Sequence, residues 1–227
     1  MPTQNELWFA ARQTKILYMP HKLLETFGET VVNYTLLSAL ENDQFRVRTG
    51  VVKAVRPKII TPHYWASQAL ENFGEDAKKY FEDILSRKEG AAIIQYGLVF
   101  SKESHAEETA SGNLLDTAES LAKQAQDDLQ EVRGILVGAD EFWEVSLIFF
   151  LRALVEQSAP VNAREMAGHG LFNMQNGVPF AIRQEISQDF QKATTREAAD
   201  ALGDKLREYG LFEEYEDQFF NLYSTFC

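Results

Sequence analysis

Apolar and polar side chains alternate through residues 45–59: Phe45, Val47, Thr49, Val51, Val55 and Ile59 fall on odd positions, and Arg46, Arg48, Arg56 and Lys58 on even ones. A period of two marks a strand with one buried face, because successive side chains of extended backbone point to opposite sides. The odd positions are expected to face the core and the basic even ones to face outward. Gly50 suggests a bend or bulge in the strand. Upstream, VVNYTLLSAL (31–40) is rich in β-branched and aromatic residues, and the polar ENDQ joins the two runs. Residues 30–57 are therefore predicted to form an antiparallel hairpin. A helix through Leu24, Phe27, Val31 and Tyr34 competes, and Gly28 weakens it.

Past the hairpin the period becomes helical. Thr61 has the chemistry of an N-cap and Pro62 suits a first helical position, where its missing N–H costs nothing. Trp65, Ala69, Leu70, Phe73, Ala77, Phe81, Ile84 and Leu85 then keep one stripe to about residue 87. Gly90 breaks it, and AAIIQYGLVF (91–100) predicts a central strand. SKESHAEETASGN (101–113) is polar and reads as a surface loop. Asn113 or Ser111 caps a helix carrying Leu114, Leu115, Ala118, Leu121, Ala125, Leu129 and Val132, and ILVG (135–138) reads as a short strand. Asp140 opens the helix DEFWEVSLIFFLRALVEQSA, expected to stop before Pro160. Short capped helices follow. Asn162 with Glu165 and Thr194 with Glu197 have capping-box spacing, NMQNGVP (173–179) is a turn-rich connector, and Gly210 is a C-terminal cap. The expected architecture is α+β: a small antiparallel sheet packed by long helices over 1–158, then a helical C-terminal region over 159–227 that could belong to the same domain.

Composition changes the picture in three ways. With 227 residues, 45% hydrophobic and 12% aromatic, the chain can fill a sizeable core. Its N-terminus lacks a basic segment followed by an apolar run, so no secretory signal is expected. VSLIFFLRALV (145–155) is too short for a bilayer and carries Arg152, so it reads as a buried helix and no membrane partner is expected. The single cysteine, Cys227, precludes an internal disulfide and fits a reducing, cytoplasmic setting. The net charge of −12 is uneven: residues 1–62 hold eight Lys or Arg against five Asp or Glu (+3), and residues 63–227 fourteen against twenty-nine (−15). So acidic a chain repels polyanions, which argues against nucleic acid as a partner.

RTGVVKAVRPKIITP, QYGLVFSKE and DEFWEVSLI together resemble a bacterial protein family of unassigned function, over residues of about 15–157. The resemblance implies a bacterial cytoplasmic setting and no mechanism.

The chain lacks the glycine-rich phosphate loops, H-E-x-x-H, paired C-x-x-C and G-x-S-x-G. Glu165 and His169 share a helix face and, with His105, Glu107 and Glu108, could ligate a metal on paper. A cap and a solvated loop explain the same residues better, so neither metal nor cofactor is expected. Asp140, Glu141 and Glu144 complement the dipole of the helix they open, and Trp143 beside them reads as core. The basic strand is the better candidate. Arg46, Arg48, Arg56 and Lys58 share one side, and guanidinium forks grip phosphate or carboxylate. The same charges also suit a solvated face, a protected edge, or docking on the protein's own acidic helices. The leading expectation is a non-catalytic interaction or regulatory protein whose partner is another protein or a second copy. The alternative is an enzyme or sensor that binds a small anionic ligand through those four residues.

Overall fold

The computed structural model describes residues 2–56, 69–86, 98–170, 173–175 and 178–226. Two compact units divide them, the first running to Asn162 and the second from Ala163. In order, the first holds α1 (Gln4–Gln13), β1 (Lys15–Tyr18), β2 (Gly28–Ala39), β3 (Gln44–Arg56), β4 (Leu70–Glu71), α2 (Glu75–Ser86), β5 (Val99–Ser111), α3 (Leu114–Gln126), β6 (Val132–Val137) and the start of α4 (Trp143–Gly168). The second holds the short strands β7 (Met174–Gln175) and β8 (Val178–Pro179), then α5 (Phe180–Lys192), α6 (Arg196–Glu208) and α7 (Phe212–Tyr223). The fold is α+β. No helix among the described residues is long and apolar enough to cross a membrane.

The expected hairpin forms, with β2 and β3 antiparallel from Gly28↔Arg56 to Ala39↔Phe45. It sits inside a six-stranded sheet of order β1-β6-β2-β3-β5-β4. Pairing is antiparallel except at β2–β6 and β4–β5, so the sheet is mixed.

The core lies against both sides of β3, not only the odd side that the alternation suggests. Arg48, Val52 and Ala54 are the buried positions of β3 beyond Val47, whereas Thr49 is exposed. Both faces are in fact used. On the odd face Leu37, Phe45, Val47 and Ile135 pack beneath the small side chains Ala118, Ala122 and Ala125 of α3. On the even face α4 lies so close that a Cβ at Gly134 would meet the Phe150 ring at 2.4 Å. Helices on both sides make a strand read apolar where they cover it and polar where they do not.

Residues 101–113, expected as a loop, instead form most of β5. Only Phe100 and Ser101 of that strand are buried. Beyond them it is an exposed outer strand, and charged side chains suit an outer strand without breaking the ladder. The helical stripe starts later than expected: residues 69–74 hold β4 and a turn with Asn72 at φ +61°, and α2 begins at Glu75. Thr61 and Pro62 lie outside the described residues. Asn113 does cap α3, accepting from the Leu115 and Asp116 amides at 2.9 and 3.3 Å.

Helix α4 passes through Pro160 rather than stopping before it. Pro160 and Glu156, whose carbonyl loses its helical donor, are both exposed, so water can satisfy that carbonyl. On the opposite side Ser158 accepts from the Leu24 amide at 3.0 Å. Asn162 is therefore mid-helix and no cap; with its nitrogen turned inward, its amide donates to the Leu24 and Ser158 carbonyls at 3.2 and 3.1 Å. The later cap is Thr195 rather than Thr194, accepting from Ala198 N at 3.2 Å. Gly210 ends α6 at φ +65°, with the Leu211 amide returning to Leu206 O at 2.8 Å as the capping motif requires. In the second unit α5, α6 and α7 close around Ile186, Leu206 and Phe219, and Arg183, 6% exposed, forks onto Glu214.

Candidate functional site

Three strands place Tyr34, Gly50 and His105 side by side in the even-face row Tyr34↔Gly50↔His105. Gly50 supplies the room: a Cβ there would lie 2.5 Å from the Tyr34 hydroxyl and 2.3 Å from the Ser104 carbonyl. Tyr34 therefore lays its ring across the glycine and brings its hydroxyl to 3.3 Å from His105 Nδ1. An aromatic covering a glycine on the next strand recovers packing that the glycine gives up.

The start of α4 closes this row. Phe142 takes a left-handed φ of +58°, uncommon for a bulky residue, and turns the chain between Asp140 and Trp143. The Trp143 indole stacks on His105 (4.6 Å between centroids, 13° between planes) and on Tyr34 (6.3 Å, 26°). It is a stacking platform as well as packing. Two cations attend it, with Arg48 Cζ 5.3 Å and Lys102 Nζ 5.2 Å from the ring centroid, the geometry of cation–π attraction.

Every cation here has a carboxylate. Arg46 and Arg48 converge on Asp140, at 3.0 and 2.8 Å. Arg48 also reaches Glu107 at 3.2 Å and donates to the Ser38 hydroxyl at 3.3 Å. Lys102 pairs with Glu144, whose other oxygen accepts from the Gly74 amide at 2.7 Å, just ahead of α2. Asp140 and Glu144 thus serve the strands and a neighbouring helix, not only the helix they open. Arg46, Arg48 and Lys102 balance Glu107, Asp140 and Glu144, so the cluster is formally neutral.

Burial, aided by Glu144, pushes the Tyr34 hydroxyl up to about 12 against the opposing pull of Arg48. Tyr34 is accordingly a protonated phenol that donates to His105 Nδ1, which leaves the neutral imidazole its proton on Nε2, on the side of Glu107 at 3.7 Å. Burial, then Lys102, hold His105 below its usual 6.5, with Glu107 opposing. The folded state therefore binds fewer protons at this histidine than the unfolded chain does, and stability is lost as pH falls from 6.5 toward the depressed value. His105→Gln is expected to flatten the acid-side decline of the denaturation midpoint. By NMR, His105 should titrate below 6.5 in the wild type; an unshifted midpoint would refute the stacked, cation-flanked arrangement.

Of the four basic residues singled out on the strand, the fold brings two together. Arg46 and Arg48 share Asp140, and Arg48 is 3% exposed. Arg56 closes β3 opposite Gly28, ten positions from Arg46 and so about 33 Å away along an extended strand. Lys58 lies outside the described residues, as does Cys227. Glu165 and His169 fall near the end of α4, and among the described residues no three His, Cys, Asp or Glu side chains group as metal ligands.

Nothing local marks Tyr34, Lys102 or Trp143 as site residues, and His105 and Glu107 read as loop. Their one local signal is the spacing of His105 and Glu107, two apart as same-face strand residues are.

The opposite face of the same strands is open. Along β2, Thr30, Val32, Tyr34 and Leu36 are buried, while Glu29 and Val31 are exposed and Asn33 and Thr35 half-buried. With Thr49, Val51, Ser104, Ala106 and Arg133, the latter two line a shallow groove of about 410 Å³. Comparison with protein-family models, with curated proteins and with solved structures gives no match.

Proposed function

We propose that the protein is a non-catalytic interaction or regulatory protein of the bacterial cytoplasm, and that it engages a protein partner through the open half of its sheet. The observation that carries this reading is the alternation along β2: it runs polar and β-branched on the open side up to Thr35, and α3 covers the sheet only from Leu37 onward. Asn33, Thr35, Thr49, Val51, Ser104 and Ala106 form a stiff, uncharged surface on hydrogen-bonded strands, and Arg133 at its border pairs with Glu131 at 2.6 Å. A preorganised surface of that kind loses little conformational entropy on binding. The formally neutral cluster on the opposite face supports the same reading, since its cations already have partners.

Affinity capture with the wild type and with a Thr49→Lys/Val51→Lys variant tests it. A partner retained by the wild type and weakened at least tenfold by the variant, whose circular dichroism is unchanged, is the expected result. A partner held equally by both would overturn the surface.

One observation favours a second reading, an enzyme or sensor for a small phosphate- or carboxylate-bearing ligand at the basic strand. Arg46 and Arg48 already close on one carboxylate, Asp140, and an external anion would have to displace it. At a hundred times its dissociation constant such a ligand stabilises the fold by about 2.7 kcal/mol. A melting-temperature rise with citrate or phosphate that Arg46→Ser abolishes would favour this second reading over the first.

A further inference from the structure

β5 is paired on its inner side from Val99 to Ser111 apart from a register shift at Glu103, but on its outer side, among the described residues, only β4 meets it, at Phe100 and Ser101. From Lys102 to Ser111, among the described residues, no strand lies against that outer edge. An open edge presents a row of N–H and C=O groups to any extended backbone that fits it. The side chains decide what fits.

A second copy of the chain can pair antiparallel with this edge about a two-fold axis, which sets one residue opposite its own counterpart. Like charges directly opposite are destabilising and opposite charges stabilising, so the edge KESHAEETAS discriminates among registers. An axis at His105 sets Glu103 against Glu107 of the partner subunit. An axis at Glu107 or Glu108 sets a carboxylate against itself. An axis at Ser104 runs into the positions held by β4 and leaves few pairs. With the axis at Ala106, His105 faces the partner's Glu107 and Ser104 faces the partner's Glu108, up to the register shift of β5 at Glu103. That register pairs residues 104–108 of the two copies with no like charges opposed.

We propose that β5 pairs with β5 of a second copy of this chain about a two-fold axis at Ala106. The axis stands perpendicular to the sheet, so the two six-stranded sheets join into one and keep their faces. The two open grooves then lie on one continuous surface, with Ala106, a groove residue, at its centre. The inference deepens the interaction reading and rests on it for the use of that surface, while the pairing itself is tested separately.

The first experiment is oxidation of Ala106→Cys in a Cys227→Ser background. Directly opposed residues of antiparallel strands have Cβ atoms about 4.5–5.5 Å apart, close enough for a disulfide to form with slight adjustment. A cross-linked dimer is expected from Ala106→Cys and none from Ala110→Cys, which lies four positions from the axis and so far from its own counterpart. In sedimentation the wild type is expected to rise with concentration from 25.8 kDa toward twice that mass, and Ala106→Lys, which opposes two ammonium groups, to weaken association at least tenfold. A wild type that stays monomeric, or a dimer that Ala106→Lys leaves intact, overturns the pairing. A monomer that still loses its partner in the Thr49→Lys/Val51→Lys variant would overturn the pairing alone. A dimer cross-linked at Ala106 with no such partner would overturn only the capture of another protein.

Discussion

A Gly50→Val protein is expected to lose about 3 kcal/mol of stability, near the upper end of what overpacking a filled site costs. The new Cβ would sit 2.3 Å from the Ser104 carbonyl, which belongs to the neighbouring strand's backbone, and 2.5 Å from the Tyr34 hydroxyl. The tyrosine can swing away; the ladder oxygen cannot move without breaking pairing between β3 and β5. If Tyr34 swings out, it leaves His105 Nδ1 and exposes the Trp143 indole it stacks on. The variant should therefore show a red-shifted tryptophan emission together with a lowered denaturant midpoint. Wild-type stability and emission would mean that Gly50 is an ordinary strand residue and that Tyr34 does not lie across it.

The larger loss is expected at Phe150. Its side chain is fully buried, and the ring lies against the Gly134 backbone so closely that a Cβ would fall 2.4 Å from it. Phe150→Ala should cost about 4 kcal/mol, because the transfer free energy of the ring is lost and a cavity remains where rigid strands cannot collapse. For a chain of this size that corresponds to a fall in melting temperature of roughly 8–16 °C. Gly134 and Phe150 form a knob and a hole between β6 and α4, so Gly134→Ala should also destabilise, by overpacking from the other side. A loss under 1 kcal/mol for Phe150→Ala would show that α4 does not bear on the sheet at this point.

Both predictions concern glycines that are small for the sake of a ring on a neighbouring element, and local sequence does not display that reason. Gly50 reads as a bend or bulge from its neighbours; the register to β5 does shift just beyond it, between Val51 and Val52, but the reason for a glycine at this position is the aromatic ring across it. The same limit explains Pro160. Its effect on α4 depends on whether the orphaned carbonyl faces water, and that is a property of the helix's placement. β5 reads as a loop because apolar alternation reports burial rather than extension. A strand with one face open has few apolar positions to alternate, so His105, Glu107 and Glu108 look like solvated loop although they pair with β3. Trp143 reads as core rather than as a platform, since its stacking partners come from strands 38 and 109 positions away in the chain, at His105 and Tyr34.

By itself the sequence determined the hairpin, the turn at Gly210, the strand before α4 and the α+β class, and it narrowed the cap of α3 to Asn113 or Ser111. These rest on period and on backbone conformations that few residues tolerate, both written within a dozen positions. Only the tertiary structure decided which face of the hairpin is covered. Alternation separates two faces without naming the inner one, and α4 covers the face that carries Arg46 and Arg48. It also decided what those arginines meet. A guanidinium on a strand suits a phosphate, a solvated face or a carboxylate equally well, and the fold supplies Asp140, a partner more than ninety residues away that no local pattern announces.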